Sequence, residues 1–412
     1  MKKDLQYFKF CAYGFLKNLR FYEPFFMLYL LERNLSFAHI GILYAIRQIG
    51  INLLEIPSGL FADALGRRSS MLLSFLAYIG AFVGFYLGQD FLTLLLPMAL
   101  YSFGDAFRTG THKAMIFDYL RQTNQDHMRT AYYGNTRAWS QRGAGVSALI
   151  AGALVFWRGS YAAVFLFTII PYALDFLLIL SYPRNLDGPG RGWGALGEIR
   201  GEFSRVLKEL LSSFSHPQLL RGISSLALYT GYYKGCKDFL QPLLRSMALG
   251  LPVFLSLVEQ ERTALVTAVL YSALYFLTAF ASGQSGALAK RFPALETPLN
   301  RTLYAGTLLG GAAGLAYLLN IPFLAVSLYV GIFVIENLRK PMGVDYVSQR
   351  ISQGSMASAL SVESQVETLF AAGFSLVLGF LVHYWGLGAG IILVSLLVGI
   401  MGYGLRLKAR EQ

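Results

Sequence analysis

Charge is what this chain has least of: only 14% of its 412 residues are Asp, Glu, Lys or Arg, against about 25% in an ordinary soluble domain. A chain so poor in charge lacks the polar surface of a soluble enzyme and the charge density of a disordered protein, and both are excluded. Cysteine is scarce as well. Cys11 and Cys236 both lie in apolar segments, which excludes a disulfide framework and a cysteine metal cluster. No GxxxxGK[ST] loop, HExxH or G-x-S-x-G run occurs, so the chain is not expected to use ATP, hold a metal or cofactor, or be an enzyme.

What the chain has is apolar and aromatic: 55% hydrophobic residues, with 25 Tyr, 31 Phe and 4 Trp, and a mean hydropathy of +0.49. Such a composition suits a protein that meets lipid and headgroups. Crossing a hydrocarbon core of about 30 Å takes about 20 apolar residues in a helix. Twelve stretches of that kind recur, near 8–31, 38–61, 70–88, 91–117, 134–157, 160–182, 219–247, 263–289, 300–319, 322–347, 357–384 and 387–406. The expected fold class is therefore all-α integral membrane, with twelve transmembrane helices. The one long connection, 183–218, carries Pro183, Gly188, Pro189 and Gly190 and then the amphipathic run EIRGEFSRVLKELLSSF. It is read as a cytoplasmic linker with an interfacial helix, separating an N-terminal six-helix bundle (1–182) from a C-terminal one (219–412). The 42 glycines are read as sites of close helix packing. Phe165, Tyr384 and Trp385 are read as interfacial anchors.

A formal net charge of +12 would suggest nucleic acid in a soluble protein. Placement argues otherwise. Lys2, Lys3, Arg67, Arg68, Arg121, Arg129, the linker cations, Lys290, Arg291, Arg301, Arg350, Arg406, Lys408 and Arg410 gather on one side of the predicted spans, and Arg33, Arg158, Arg245 and Arg262 on the other. The positive-inside rule then puts both termini in the cytoplasm of a multi-pass cell-membrane protein, and nucleic acid drops out as a partner. The first apolar segment is too long for a signal-peptide core and lacks a small-residue cleavage site, so no cleavable leader is expected.

The second half repeats the first. KAMIFDYLRQ (Lys113 to Gln122) aligns with KPMGVDYVSQ (Lys340 to Gln349) at an offset of 227, which also places Gly59 and Ala62 on Gly286 and Ala289. RFYEP (Arg20 to Pro24) meets DFLQP (Asp238 to Pro242) at an offset of 218. Parallel six-helix repeats related by an axis along the membrane normal are a transporter architecture, with substrate held midway at the repeat interface.

GLFADALGRRSSML (Gly59 to Leu72) resembles the G-x3-D-x2-G-R-[KR] signature of the major facilitator superfamily, matched by Gly59, Asp63, Gly66, Arg67 and Arg68. With the twelve spans and the repeat, the resemblance runs over essentially the whole chain. It implies two pseudo-twofold-related six-helix bundles and a cytoplasmic gate in which Asp63 and Arg67 engage neighbouring helix ends. Asp118 is the partner expected there, and Asp345 its repeat mate. EIPSG (Glu55 to Gly59) resembles bacterial, proton-driven efflux members, whereas RAWSQRGAGVSALIAG lacks the proline of the drug–proton antiporter signature.

Ionisable residues within spans are costly, about 2.5–3.5 kcal/mol each at mid-bilayer on insertion scales, and so mark a cavity or a partner. Here they concentrate on four predicted helices: Lys17, Arg20 and Glu23 on the first; Asp105, Arg108, His112 and Lys113 on the fourth; Lys234, Lys237, Asp238 and Gln241 on the seventh; Glu336, Arg339 and Lys340 on the tenth. In the family that the chain resembles, these four helices line the central cavity. Eight cations against four anions would focus a field that attracts anions, and guanidinium forks match carboxylate and phosphate. Internal ion pairing one turn apart is the alternative use of the same charges. Arg137, Ser140 and Gln141 on the fifth helix and Gln48, Asn52 and Glu55 on the second form a further tier. Glu55, Glu363 and Glu367 have no cation three or four positions away in their own helices, which makes them candidates for proton coupling. The expectation is a monomeric secondary transporter, coupled to protons, for a small anionic or zwitterionic solute; the alternative is a multidrug or amphiphile efflux pump.

Overall fold

The computed structural model describes residues 3–125, 128–187, 217–253, 255–349 and 356–407. Among these every regular element is helical: α1 (Leu5–Lys17), α2 (Phe26–Glu32), α3 (Phe37–Leu65), α4 (Arg67–Leu87), α5 (Phe91–Arg108), α6 (Thr111–Gln122), α7 (Arg129–Arg158), α8 (Ala163–Leu180), α9 (Pro217–Cys236), α10 (Leu240–Gly250), α11 (Glu259–Ala289), α12 (Glu296–Leu318), α13 (Pro322–Ser348) and α14 (Met356–Gly404), with short 3-10 turns between some of them. Among the described residues, six helices contain a stretch long and apolar enough to cross a membrane: Phe37–Glu55, Arg67–Leu87, Ala163–Leu180, Glu259–Ala289, Pro322–Ser348 and Val362–Gly404. Apolar side chains such as Phe276, Leu308 and Ile400 stand more than 70% exposed, an arrangement tolerable where lipid covers them. Most of the linker and its amphipathic run lie outside the described residues.

Local chemistry sets the element ends. Asp4 caps α1 by accepting from Tyr7 N at 3.0 Å, and Asp90 and Thr93 form a capping box at the start of α5, each satisfying amides that the first turn leaves without partners. The predicted first and seventh spans are each broken by a 3-10 turn, at Glu23–Phe25 and Lys237–Phe239. Each turn overlaps its own half's copy of the aligned RFYEP and DFLQP runs, late in the first copy and early in the second. The predicted fourth span is also broken, and here the expectation that Asp105, Arg108, His112 and Lys113 share one helix is corrected. Gly110, at φ 82°, separates α5 from α6, because glycine adopts positive φ without a Cβ penalty. Asp105 and Arg108 therefore belong to one helix and His112 and Lys113 to the next. Helix α14 runs through the last two predicted spans, with non-helical geometry at Gly386.

By internal contacts the chain forms two compact units. One comprises Met1–Tyr29, Gly50–Arg205 and Thr267–Ser272; the other comprises Leu30–Ile49, Val206–Val266 and Ala273–Gln412. The first has an aromatic core in which Tyr22 stacks on Phe165 at 5.7 Å and Phe26, Tyr29 and Phe85 close round the same ring. Phe165 is thus fully buried, not an interfacial anchor: its side of α8 faces α2 and α4 rather than a headgroup layer. Tyr384 and Trp385 are exposed. The second unit includes a core of Leu226, Leu299, Met342, Tyr346, Val347 and Leu407. Tyr329 Oη donates to the Cys236 carbonyl at 2.6 Å, tying α13 to the end of α9.

Candidate functional site

Within the first unit, α1, α5, α6 and α7 enclose a cavity of about 270 Å3. Helix α1 supplies Phe10, Tyr13 and Lys17, α5 ends on it with Arg108, α6 adds His112 and Lys113, and α7 adds Arg137 and Gln141. Four cations line it and, among the described residues, no carboxylate does. Each helix reaches the cavity for a local reason. The Gly110 break turns α6 so that His112 stacks on Tyr13 at 3.6 Å, while Nε2 of His112 lies 3.2 Å from Tyr182 Oη. Gly143 lets α7 approach α1 closely, because a Cβ there would lie 2.4 Å from the Phe15 carbonyl oxygen.

Only one of the four cations has an acid partner close by. Arg108 binds Asp105 at 2.6 Å and donates through Nε to Tyr78 Oη at 3.2 Å. The same Tyr78 hydroxyl donates to Asp105 at 2.6 Å, so the charge of Asp105 is already committed. Lys113 lies over the rings of Phe117 and Tyr133, 5.5 Å from each centroid. Lys17 and Arg137 make no salt bridge among the described residues. Arg20 and Glu23 pair with each other at 3.8 Å and do not line the cavity.

The second unit uses its charges differently. Lys234 donates to Glu367 at 2.8 Å, Lys340 binds the other oxygen of Glu367, and Lys340 also lies 3.6 Å from Glu363. Glu367 is therefore bridged by two lysines from other helices, which its own helix gave no sign of. Glu363 Oε2 is buried without a hydrogen-bond partner. Thr230 donates to Glu336 at 2.9 Å. Arg339 is spent on structure: it donates to the Leu299 carbonyl and to Thr302 at 3.0 Å, and lies over the Tyr229 ring. Asp238 pairs with Arg47 at 3.5 Å, with Lys237 at 4.0 Å, and not with Lys234 one turn away. Gln241 is fully buried.

Around the loop after α3, Arg67 forms an ion pair with Asp118 on α6, and Arg121 approaches the same carboxylate at 3.5 Å. Asp187 organises the loop: its carboxylate accepts from Arg68 N at 2.7 Å and its carbonyl from Arg67 N at 3.0 Å. Gly66 sits at φ 96°, and a Cβ on it would lie 2.5 Å from Asp187 Oδ1. The Asp63 side chain lies outside the described residues. Gly59 is exposed, and Glu55 is half-buried with its carbonyl accepting from Ser58 at 2.9 Å. Asp345 is exposed and takes Gln349 Nε2 at 3.1 Å.

Sequence reasoning passed over three charged residues. Arg47 stood beside the noted Gln48. Asp187 lay where the linker begins. Asp175 is the single charged residue of α8, and standing alone it carries no clustering of charge to mark it.

A sequence profile of the Major Facilitator Superfamily matches residues 10–366. An uncharacterised MFS-type transporter, YxaM of Bacillus subtilis (strain 168), is 29% identical over 90 residues, which is 22% of this chain and 23% of that protein. Among solved structures, the nucleoside transporter NupG superimposes with a TM-score of 0.72 at 13% identity, covering 98% of both chains. A bacterial homologue of the human lysosomal transporter Spinster, inward-facing and occupied, gives 0.71 at 16% identity, covering 98% of this chain and 97% of that one. A POT family transporter in complex with a thioalcohol-conjugated peptide gives 0.68 at 15% identity, covering 97% and 94%.

Proposed function

Because the chain belongs to the major facilitator superfamily, we propose that it is a secondary active transporter that moves a small anionic or zwitterionic solute by alternating access. The observation that carries this reading is the first unit's cavity, with Lys17, Arg108, Lys113 and Arg137 on its wall and no carboxylate among the described lining residues. Lys17 lines the cavity half-buried and Lys113 and Arg137 line it exposed, and a wall of one sign of charge draws a solute of the other. Guanidinium groups from α5 and α7 suit a two-point grip on a carboxylate or phosphate. The aromatic wall of Phe10, Tyr13 and Tyr133 favours an anion with an apolar or ring-bearing body.

In this reading α1 with α2, α5 with α6, and α9 with α10 each make one broken span, α14 makes two, and the chain crosses the membrane twelve times. Both termini are cytoplasmic and the protein works as a monomer in the cell membrane. Arg67, Asp118 and the Asp187-ordered loop form a cytoplasmic gate. Coupling is to protons, with the unpartnered oxygen of Glu363 as a binding point. The solved relatives are too distant in sequence for their solutes to carry over.

Reconstituted protein should accumulate an anion from a panel of benzoate, inorganic phosphate and tyrosine against a gradient. Arg137→Gln should weaken binding of that anion by about tenfold, the scale of one charge-assisted hydrogen bond. Equal affinity in wild type and variant would remove the anion reading. Efflux of a cationic amphiphile is the second reading, favoured by the same aromatic wall; retention of a cationic dye with no anion binding would support it instead.

A further inference from the structure

Asp175 lies in α8 with 0% exposure, and both of its carboxylate oxygens are buried without a hydrogen-bond partner. Other carboxylates of this unit are engaged: Asp105 with Arg108, Glu23 with Arg20 and Asp118 with Arg67. An ionised carboxylate sealed in this way loses its hydration and gains no donors, an expensive arrangement. A carboxyl that takes up a proton avoids most of that cost. The groups that act on Asp175 electrostatically include Lys17 on α1 and Arg108 on α5, and both line the anion cavity. Tyr13 on α1 and Tyr182 beyond α8 also feel it. On α4, the neighbouring titratable group is Tyr78, packed on Tyr172. On α7, Arg158 lies over Phe167, about two turns before Asp175.

We propose that Asp175 is a proton-binding site whose occupancy sets the affinity of the cavity for its anion. This rests on the anion reading of that cavity. When Asp175 is ionised, its negative charge cancels part of the field of Lys17 and Arg108, and the cavity holds an anion less well. When a proton binds, the carboxyl becomes neutral and both cations act on the solute alone. Proton and anion therefore bind cooperatively, and by linkage each raises the affinity of the other by the same factor. The pair loads and unloads together, which makes the transporter a proton–anion symporter.

The test uses the full-length protein in detergent, with benzoate as probe and inorganic phosphate as a second arm. Wild-type affinity for benzoate should fall between about pH 5 and pH 8, by a factor within the roughly 5- to 150-fold usual for coupled sites. Asp175→Asn should bind tightly and vary less than about threefold over the same range. His112 lines the cavity and carries the one side-chain type whose unperturbed form changes charge in this window, so His112→Gln is the control. A slope that persists in His112→Gln and vanishes in Asp175→Asn supports the assignment; the reverse pattern overturns it. Infrared difference spectra decide without any anion: a protonated carboxyl band that titrates with pH should disappear in Asp175→Asn or shift in Asp175→Glu, whichever variant folds. A band unchanged in either variant removes Asp175 as the proton site. If neither probe binds wild type at any pH while the band behaves as expected, the anion reading fails and the proton site stands.

Discussion

Lys234 and Glu367, 133 positions apart in the chain, are joined by a 2.8 Å hydrogen bond from Nζ to a carboxylate oxygen that is almost wholly buried. Lys340 takes the other oxygen of the same carboxylate, so one acid on α14 binds a base from α9 and another from α13. Glu367→Gln should therefore leave the partly exposed Lys234 without its counter-charge and Lys340 with Glu363 alone. Solvent access to the lysines moderates the cost, and a loss of about 1–2 kcal/mol is expected, read as a lower unfolding midpoint in detergent. Benzoate binding to the first unit's cavity should be unchanged.

The Arg47–Asp238 pair is drier, with both side chains about nine-tenths buried. Removing Arg47 leaves Asp238 with Lys237 at 4.0 Å in place of its nearer partner, a cost of up to about 3–5 kcal/mol, whereas removing both with apolar residues of similar size is close to neutral. Arg47→Met alone should thus be markedly destabilised and Arg47→Met with Asp238→Leu should recover most of the loss. Denaturation of the single and double variants forms the cycle that checks this.

Gly66 carries a specific conformational demand. At φ 96° a side chain is strained, and a Cβ would press on the Asp187 carboxylate. Gly66→Ala should lower stability by about 1–2 kcal/mol or more. It should also slow transport, since the same displacement disturbs Arg67 and its ion pair with Asp118. Asp187→Ala removes the acceptor of Arg68 N and should reduce transport in the same direction. Initial rates of uptake in liposomes are the measurement.

Asp90 predicts a pH effect at the start of α5. Its carboxylate accepts from Thr93 N at 2.9 Å, and these hydrogen bonds from Thr93 hold its carboxyl below the usual value. A depressed folded value means that the cap stabilises α5 fully above the ordinary carboxylate value of about 3.9. The benefit is lost as pH falls through the lower folded value. Asp90→Ala should be less stable than wild type at neutral pH, and the two unfolding midpoints should converge in acid.

Much of the protein could be read along the chain. Hydropathy alone requires helices in lipid, because backbone amides there must be satisfied within the segment. The Gly59 to Arg68 run and the repeat are local patterns. So was the gathering of charge on four predicted spans, since an ionisable residue is conspicuous against an apolar background. Pairing was not legible. Lys234 sits one turn from Asp238 yet binds Glu367, and Asp238 binds Arg47, because helix packing brings closer partners than sequence spacing does. The break at Gly110 was also hidden, since glycine permits a positive φ without requiring it.

The sequence by itself determined the solvent, the helical class, the family resemblance and which residues had to be costly in a membrane. Those follow from composition and short-range pattern, where each residue's transfer energy counts separately. Only the tertiary structure decided which charges cancel and which remain. Glu367 and Glu363 take up two lysines and Arg339 is spent on a carbonyl and a threonine, whereas Lys17, Lys113 and Arg137 keep their charges facing a cavity and the Asp175 carboxylate stays buried without a hydrogen-bond partner. Coulomb energy depends on distances across helices, and folding alone sets those distances.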